Sequence, residues 1–335
     1  MRVLYIDRPK SEYVQEFLYT GLCKVLGTSN VIESPWNVRM HFNHRPYPKN
    51  LSKFSLVNAF QSLQAQLDTH YDAVIVASCN PYTIKKYYEM MDTIDKNIPI
   101  IFVDGGDFPK LAGDLDRLGG RELYEEIMQK RPFDLIFKRE FLLDEKYPEN
   151  VYPLPMCFNY DLMPPLDKNY KYDVSFWAVE TAQIRSDALD LLEDRFDCKS
   201  NGTMRNQVMK KYKRKGAFYL QEIARSKIGL NFRGGGWDTL RFWELTGMGC
   251  FVISQRVQIQ IDHPFVDKED IVYCKDDLSD LVSLCEYYLE HDQEREAIAK
   301  NARIKVEKYH TDIARAQFVI DKITSLQKLA KSLSL

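Results

Sequence analysis

The 335-residue chain has no long hydrophobic run near its start. "MRVLYIDRPK" turns polar after a few apolar residues, which is too short for a secretory core or a membrane span. Neither sign of charge dominates. With 46 Lys and Arg against 48 Asp and Glu, the formal charge is −2, so no global electrostatic drive toward nucleic acid exists and any basic function must be local. The seven cysteines are an odd number, form no C-x-x-C pair and have no histidine beside them at ligand spacing. They read as small buried apolar residues of a reducing compartment, and a cytoplasmic location is expected. Low-complexity tracts and repeats are also missing, while hydrophobic residues at 45% and charged ones at 28% are the proportions of a globular protein.

What is present is alternation. "RVLYID" (2 to 7) is an apolar run of the buried-strand kind, and "SEYVQEFLYTGLCKVLG" follows with helical spacing, a Ser cap and a terminal Gly. Strand-like runs recur at "VIES", "DAVIVAS" (72 to 78), "IPIIFVD" (98 to 104) and "FDLIFK" (133 to 138). Between them lie the amphipathic stretch from Leu56 to His70 and the helical "YTIKKYYEMMDTI". Between Pro153 and Tyr172 four prolines and no sustained period mark a linker, with a boundary near residue 160. Alternation restarts at "YDVSFWA", "KIGLNF", "CFVIS" and "DIVYC", and from Asp277 the chain is almost continuously helical. The expected fold is α/β: two tandem Rossmann-like, doubly wound domains, 1–160 and 161–335, the second carrying a helical C-terminal tail.

"LNFRGGGWDTLRFWELTGMGCFVIS" (230 to 254) concentrates the chemistry. Arg233 and three glycines, Gly234, Gly235 and Gly236, leave the carboxyl end of a strand, where open α/β sheets bind ligands. Glycines let backbone amides approach a ligand, and a helix expected to begin near Asp238 aims its positive end at the same space. Arg241 adds a forked cation suited to phosphate, and Glu244 a carboxylate able to accept both hydroxyls of a ribose. The bland alternative is a flexible turn, an Asp238 cap and a solvated Arg241–Glu244 pair.

From about 172 to 325 the chain resembles the C-terminal half of group 1 type glycosyltransferases of the GT-B fold, in the branch of spore-coat glycosyltransferase-like proteins. The carrying residues are "ARSKIGLNFRGGGWDTLRFWELTGMGCFVIS" and "DIVYCKDDLSDLVSLCEYYLEHDQEREAIAKNARIKVEKYHT". The resemblance implies a hexosyltransferase-like transferase of polysaccharide biosynthesis. Its second domain would bind a nucleotide-diphosphate sugar, its first a glycan, lipid-linked or protein acceptor, and transfer would occur in the cleft between them. Glu244 would hold the ribose, while Asp238, Arg241, Arg185, Arg233 and the Gly234 to Gly236 amides would line the donor site. One departure is visible: relatives with an E-x7-E motif carry a first Glu where this chain has Gly236. The other classes weighed are a sugar-nucleotide epimerase and a noncatalytic nucleotide-sugar-binding protein.

Arg185 lies on the early helix of "FWAVETAQIRSDALDLL", where the resemblance implies contact with the diphosphate; Glu180 reads as a cap for that helix. In the first domain "FVDGGDFP" (102 to 109) ends a buried strand with two carboxylates, and Asp107 is the expected base for an acceptor hydroxyl, with Asp104 in reserve. "GDLDR" (113 to 117) contains D-x-D, too common a triplet to assign a metal, so neither metal nor cofactor is expected and transfer should be metal-independent. "KKYKRKG" (210 to 216) is a local basic cluster that could touch a membrane surface peripherally. "PWNVRMHFNHRPYP" (35 to 48) reads as an acceptor platform, and its His41 and His44 lack a third ligand.

Overall fold

The structure is a computed structural model that describes residues 1–42, 47–51, 56–166, 169–176, 178, 180–192, 195–196 and 217–333. The chain divides into two compact units. The first comprises Met1–Arg45, Lys49–Met156 and Thr311–Leu335, and the second Pro46–Pro48 and Cys157–His310. This division differs from the expected 1–160 and 161–335 in three respects, the first being that the boundary falls after Met156. The terminal segment from Thr311 belongs with the first unit, and Tyr47 and Pro48 group with the second.

The first unit is built on a parallel six-stranded sheet in the order β2-β1-β3-β4-β5-β6. Its strands are β1 (Val3–Ile6), β2 (Val31–Ser34), β3 (Ala73–Val76), β4 (Ile100–Asp104), β5 (Leu135–Lys138) and β6 (Val151–Pro153). Each of β1, β3 and β4 is buried along its whole length, as a parallel sheet with both faces covered requires. The helices are α1 (Tyr13–Leu26), α2 (Val38–His41), α3 (Leu56–Ala65), α4 (Pro81–Met90), α5 (Asp114–Leu118) and α6 (Arg121–Lys130). One face of the sheet packs its core through Ile6, Val74, Val76, Tyr87, Phe102 and Phe133.

Two local expectations change. The cap of α1 is Glu12, whose carboxylate accepts from the Val14 and Gln15 amides, while the Ser11 hydroxyl donates to Glu16. Helix α3 is shorter than the 56 to 70 stretch and buries Ala59, Ser62 and Ala65. Its large apolar residues Leu56, Val57, Phe60 and Leu63 are exposed. Hydrogen bonding explains this orientation: the Ser62 hydroxyl donates to Glu33 Oε1 at 2.7 Å, and that carboxylate also binds the Tyr19 hydroxyl and His41 at 2.6 Å each. Small side chains give α3 the close approach that this buried carboxylate needs.

The second unit has a parallel four-stranded sheet, order β10-β9-β8-β7. Its elements are β7 (Tyr172–Ser175), α7 (Gln183–Leu192), α8 (Ala217–Ala224), β8 (Ser226–Asn231), α9 (Leu240–Met248), β9 (Val252–Gln255), β10 (Val272–Cys274), α10 (Leu281–Glu290) and α11 (Asp292–Tyr309). Val174, Ile228, Leu230, Phe251, Ile253 and Val272 form its core. The helical tail is interrupted at His291 and again after Tyr309, and its last helix, α12 (Asp312–Leu333), returns to the first unit. There the Asp312 carboxylate receives the Thr20 hydroxyl at 2.8 Å and the Lys24 ammonium at 2.7 Å, and Gly21 lets α1 press against the Asp312 backbone. Arg315 donates to the Pro155 and Met156 carbonyls, which ties α12 to the end of the first unit's other long segment.

Candidate active site

Helix α9 is set against the end of β8 by hydrogen bonds. The Thr239 hydroxyl caps α9 by accepting from the Phe242 amide at 3.3 Å and donates to Asn231 Oδ1 at 2.7 Å, so the helix start is fixed to the carboxyl end of the strand. The cap is therefore Thr239 and not Asp238. Asp238 turns away and accepts the Trp243 indole N–H at 2.7 Å. Two glycines allow close packing around α9: a Cβ on Gly229 of β8 would lie 2.6 Å from Leu245, and one on Gly247 would lie 2.6 Å from the Phe158 ring. Gly249, at φ 72°, ends the helix in the left-handed conformation.

The glycine loop between β8 and α9 closes on itself through Gly234 N–H to the Gly236 carbonyl at 3.0 Å. Arg185 organises it. The guanidinium, 5% exposed, donates to the Arg233 carbonyl at 2.8 Å, the Phe232 carbonyl at 3.0 Å and the Thr181 hydroxyl at 3.0 Å. Gly234 is glycine because of close approach: a Cβ there would lie 3.0 Å from Arg185 Nη2. Arg185 thus shapes the loop that was expected to meet the diphosphate, and its guanidinium stands over the Phe176 ring at 5.8 Å with that of Arg241 at 5.0 Å over the same ring. Burial, and next the Arg241 charge, push the Arg185 guanidinium down to about 9. Two cations side by side at a strand's carboxyl end favour an anion between them. Arg233 lies over the Trp237 ring at 4.6 Å on the same loop, and Gly235 is exposed.

Glu244, 1% exposed, sits one turn into α9. Its Oε1 accepts a short hydrogen bond from the Tyr47 hydroxyl, and its Oε2 accepts from the Tyr219 hydroxyl at 3.0 Å. Burial raises this carboxyl above the usual range, while the two tyrosines and Arg241 act in the opposite direction. The tyrosine rings stack, with centroids 6.2 Å apart and planes 24° apart. The solvated Arg241–Glu244 pair is replaced by a buried carboxylate holding two hydroxyls.

In the first unit the "DGGD" turn is braced by its own acids. Asp104 Oδ2 accepts from the Ala112 amide and the buried Lys138 ammonium, both at 2.8 Å, so this carboxylate builds the loop. Asp114 accepts the Asp107 amide at 3.1 Å and pairs with Arg117, and Asp116 pairs with Lys110 and Arg121. The two carboxylates of the D-x-D triplet thus engage separate cations. Asp107 keeps a 56% exposed side chain at the carboxyl edge of β4, paired with the buried Arg139 guanidinium. His41 stacks on Trp36 at 4.8 Å and binds Glu33. The basic stretch 210–216 and His44 lie outside the described residues.

The structure therefore brings Arg185, Arg233, Gly234 to Gly236, Arg241 and Glu244 to one edge of the second sheet, and places Asp107 in the other unit. It adds Tyr47, Tyr219 and Phe176. Tyr47 stood in the 35 to 48 segment, but nothing local pointed it at a carboxylate 197 positions away.

Two parallel α/β units, the second with a glycine-loop edge, have the architecture of GT-B enzymes. Residues 180–321 match the glycosyl transferase-like family model. The fold is similar to an α-glucosyltransferase in complex with UDP (TM-score 0.59, 12% identity, 97% of this chain and 100% of that one). It is also similar to sucrose-phosphate synthase from Thermosynechococcus elongatus (0.60, 10%, 97% and 99%) and to HepE of Anabaena in complex with UDP-glucose (0.57, 8%, 97% and 100%). Comparison with curated protein sequences finds no match. The chain thus has a fold similar to that of these GT-B enzymes and carries a glycosyl transferase-like segment over residues 180–321.

Proposed function

We propose that the chain is a glycosyltransferase that takes its sugar from a uridine-diphosphate donor bound by the second unit and passes it to a hydroxyl of a glycan, lipid-linked or protein acceptor bound by the first. The observation that carries the reading is Glu244, a buried carboxylate whose two oxygens each hold one O–H donor, the pattern a ribose diol makes. Its neighbours supply the rest. Arg241, Arg185 and the Gly235 and Gly236 amides form a cationic, amide-lined edge for a diphosphate, with the Gly234 amide holding the loop closed on the Gly236 carbonyl, and Arg233 extends it. Two proteins of similar fold, the α-glucosyltransferase and HepE, bind UDP or UDP-glucose in their own structures, which favours uridine.

In this mechanism the edge stabilises the charge that develops on the departing diphosphate, a task that preorganised cations and amides can perform without a divalent metal. Asp107, exposed at the end of β4 and held by Arg139, would receive the proton of an acceptor hydroxyl if transfer inverts the anomeric centre. The near-neutral charge of −2 favours an uncharged acceptor over nucleic acid.

Glu244→Gln keeps the shape and removes the charge, so UDP affinity measured by calorimetry should fall by about 1.5 to 3 kcal/mol. Unchanged affinity removes Glu244 from the ribose site.

A further inference from the structure

Glu244 is claimed twice. A carboxylate only accepts hydrogen bonds, and here one oxygen is held by the Tyr47 hydroxyl and the other by the Tyr219 hydroxyl. The carboxylate is 1% exposed and Tyr47 is 8% exposed, so a ribose cannot reach both oxygens while both phenols remain. The two arrangements exclude each other, yet either one satisfies the buried charge.

The two phenols are anchored differently. Tyr219 belongs to α8, an element within the continuous part of the second unit. Tyr47 belongs to Pro46–Pro48, a three-residue excursion whose flanking segments, Met1–Arg45 and Lys49–Met156, both group with the first unit. Withdrawing Tyr47 leaves the helices around Glu244 in place; withdrawing Tyr219 requires moving α8. The exchangeable partner is Tyr47.

We infer that Tyr47 is a donor-site residue whose hydroxyl stands in for a ribose hydroxyl on Glu244, and that the nucleotide binds by displacing it. This rests on the reading of Glu244 as the ribose-binding carboxylate. The exchange conserves hydrogen bonds, since one O–H donor replaces another on the same oxygen, so Tyr47 protects the buried charge from going unpaired at the cost of some nucleotide affinity. It also makes recognition selective, because a ligand without a hydroxyl at that position cannot repay the bond it breaks.

The test is calorimetric titration of UDP into the full chain and into Tyr47→Phe and Glu244→Gln variants. Tyr47→Phe keeps the ring but has no hydrogen bond to surrender, so UDP should bind roughly 3- to 10-fold more tightly. Unchanged or weaker binding by Tyr47→Phe, with Glu244→Gln still weakened, overturns the displacement and leaves the ribose assignment standing. Unchanged binding by Glu244→Gln overturns the ribose assignment, and the displacement with it; so does a full chain that does not bind UDP. A second measurement needs no variant: nitration of Tyr47 by tetranitromethane, followed by peptide mass spectrometry, should accelerate when UDP is saturating. Protection, or no change, counts against displacement.

Discussion

Asp107 and Asp104 stand three residues apart in one turn and have opposite fates. Asp104 is consumed by Lys138 and the Ala112 amide, whereas Asp107 shows half of its side chain to solvent beside Arg139. If Asp107 is the base, Asp107→Asn should lower kcat by about 10² to 10⁴ while UDP affinity stays within twofold, because the donor residues belong to the other unit. Near-normal turnover in a steady-state assay takes Asp107 out of the chemistry. Both acids were visible in the sequence as strand-end carboxylates. What separated them was Lys138, 34 residues further on, whose ammonium arrives only through the pairing of β4 with β5. Glu244 and Arg241 were legible because the strand, loop and helix that place them are continuous in the chain. Tyr47 was not, because its partner is reached only through folding.

Helix α9 shows how an element can be read correctly and its ends misread. The apolar spacing and terminal Gly249 marked its body, but two cap-forming residues, Asp238 and Thr239, stood side by side. Trp243, one turn in, took the first as the acceptor for its indole and left the second to cap. The same holds for α1, where Glu12 displaced Ser11, and for α3, where a buried carboxylate turned the small side chains inward. Periodicity locates a helix; a tertiary polar partner decides its rotation and first residue. The packing of α9 gives a direct check. Its Gly247 meets the Phe158 ring so closely that Gly247→Ala should destabilise the protein by about 1 to 3 kcal/mol through overpacking, seen as a lower midpoint in thermal unfolding. An unchanged midpoint would mean that Phe158 moves aside without cost.

For the molecule as a whole, several buried acids bias stability in the same direction. Burial raises the carboxyls of Asp7 and Glu16 in the first unit and Glu244 in the second, and lifts Glu12 to about 7. An acid whose folded pKa exceeds its unfolded value binds its proton more tightly when folded. Its stabilising contribution is complete below the unfolded value, about 4.5 for Glu12, and is lost as the pH rises through about 7. Urea unfolding should therefore show a higher midpoint at pH 5.5 than at pH 7.5, and the reverse order would refute the assignment. The α/β alternation carried the fold class because each strand and helix pair is local. The division into units was less legible, since the terminal helical pattern does not say which sheet α12 will cover.

That last helix has a consequence for how the protein is made. The first unit begins with β1 but lacks the partner of α1 until Asp312 to Leu333 have been synthesised, whereas the second unit, apart from its three-residue excursion, is complete by His310. The Phe158 amide bonds the His310 carbonyl at 3.0 Å, so the second unit's main segment closes on itself near both of its ends. On a growing chain the domain encoded later can therefore finish first, while the earlier one waits with Gly21, Thr20 and Lys24 unmatched. The usual amino-to-carboxyl order of domain completion is inverted, because α12 follows the second unit's main segment in the chain.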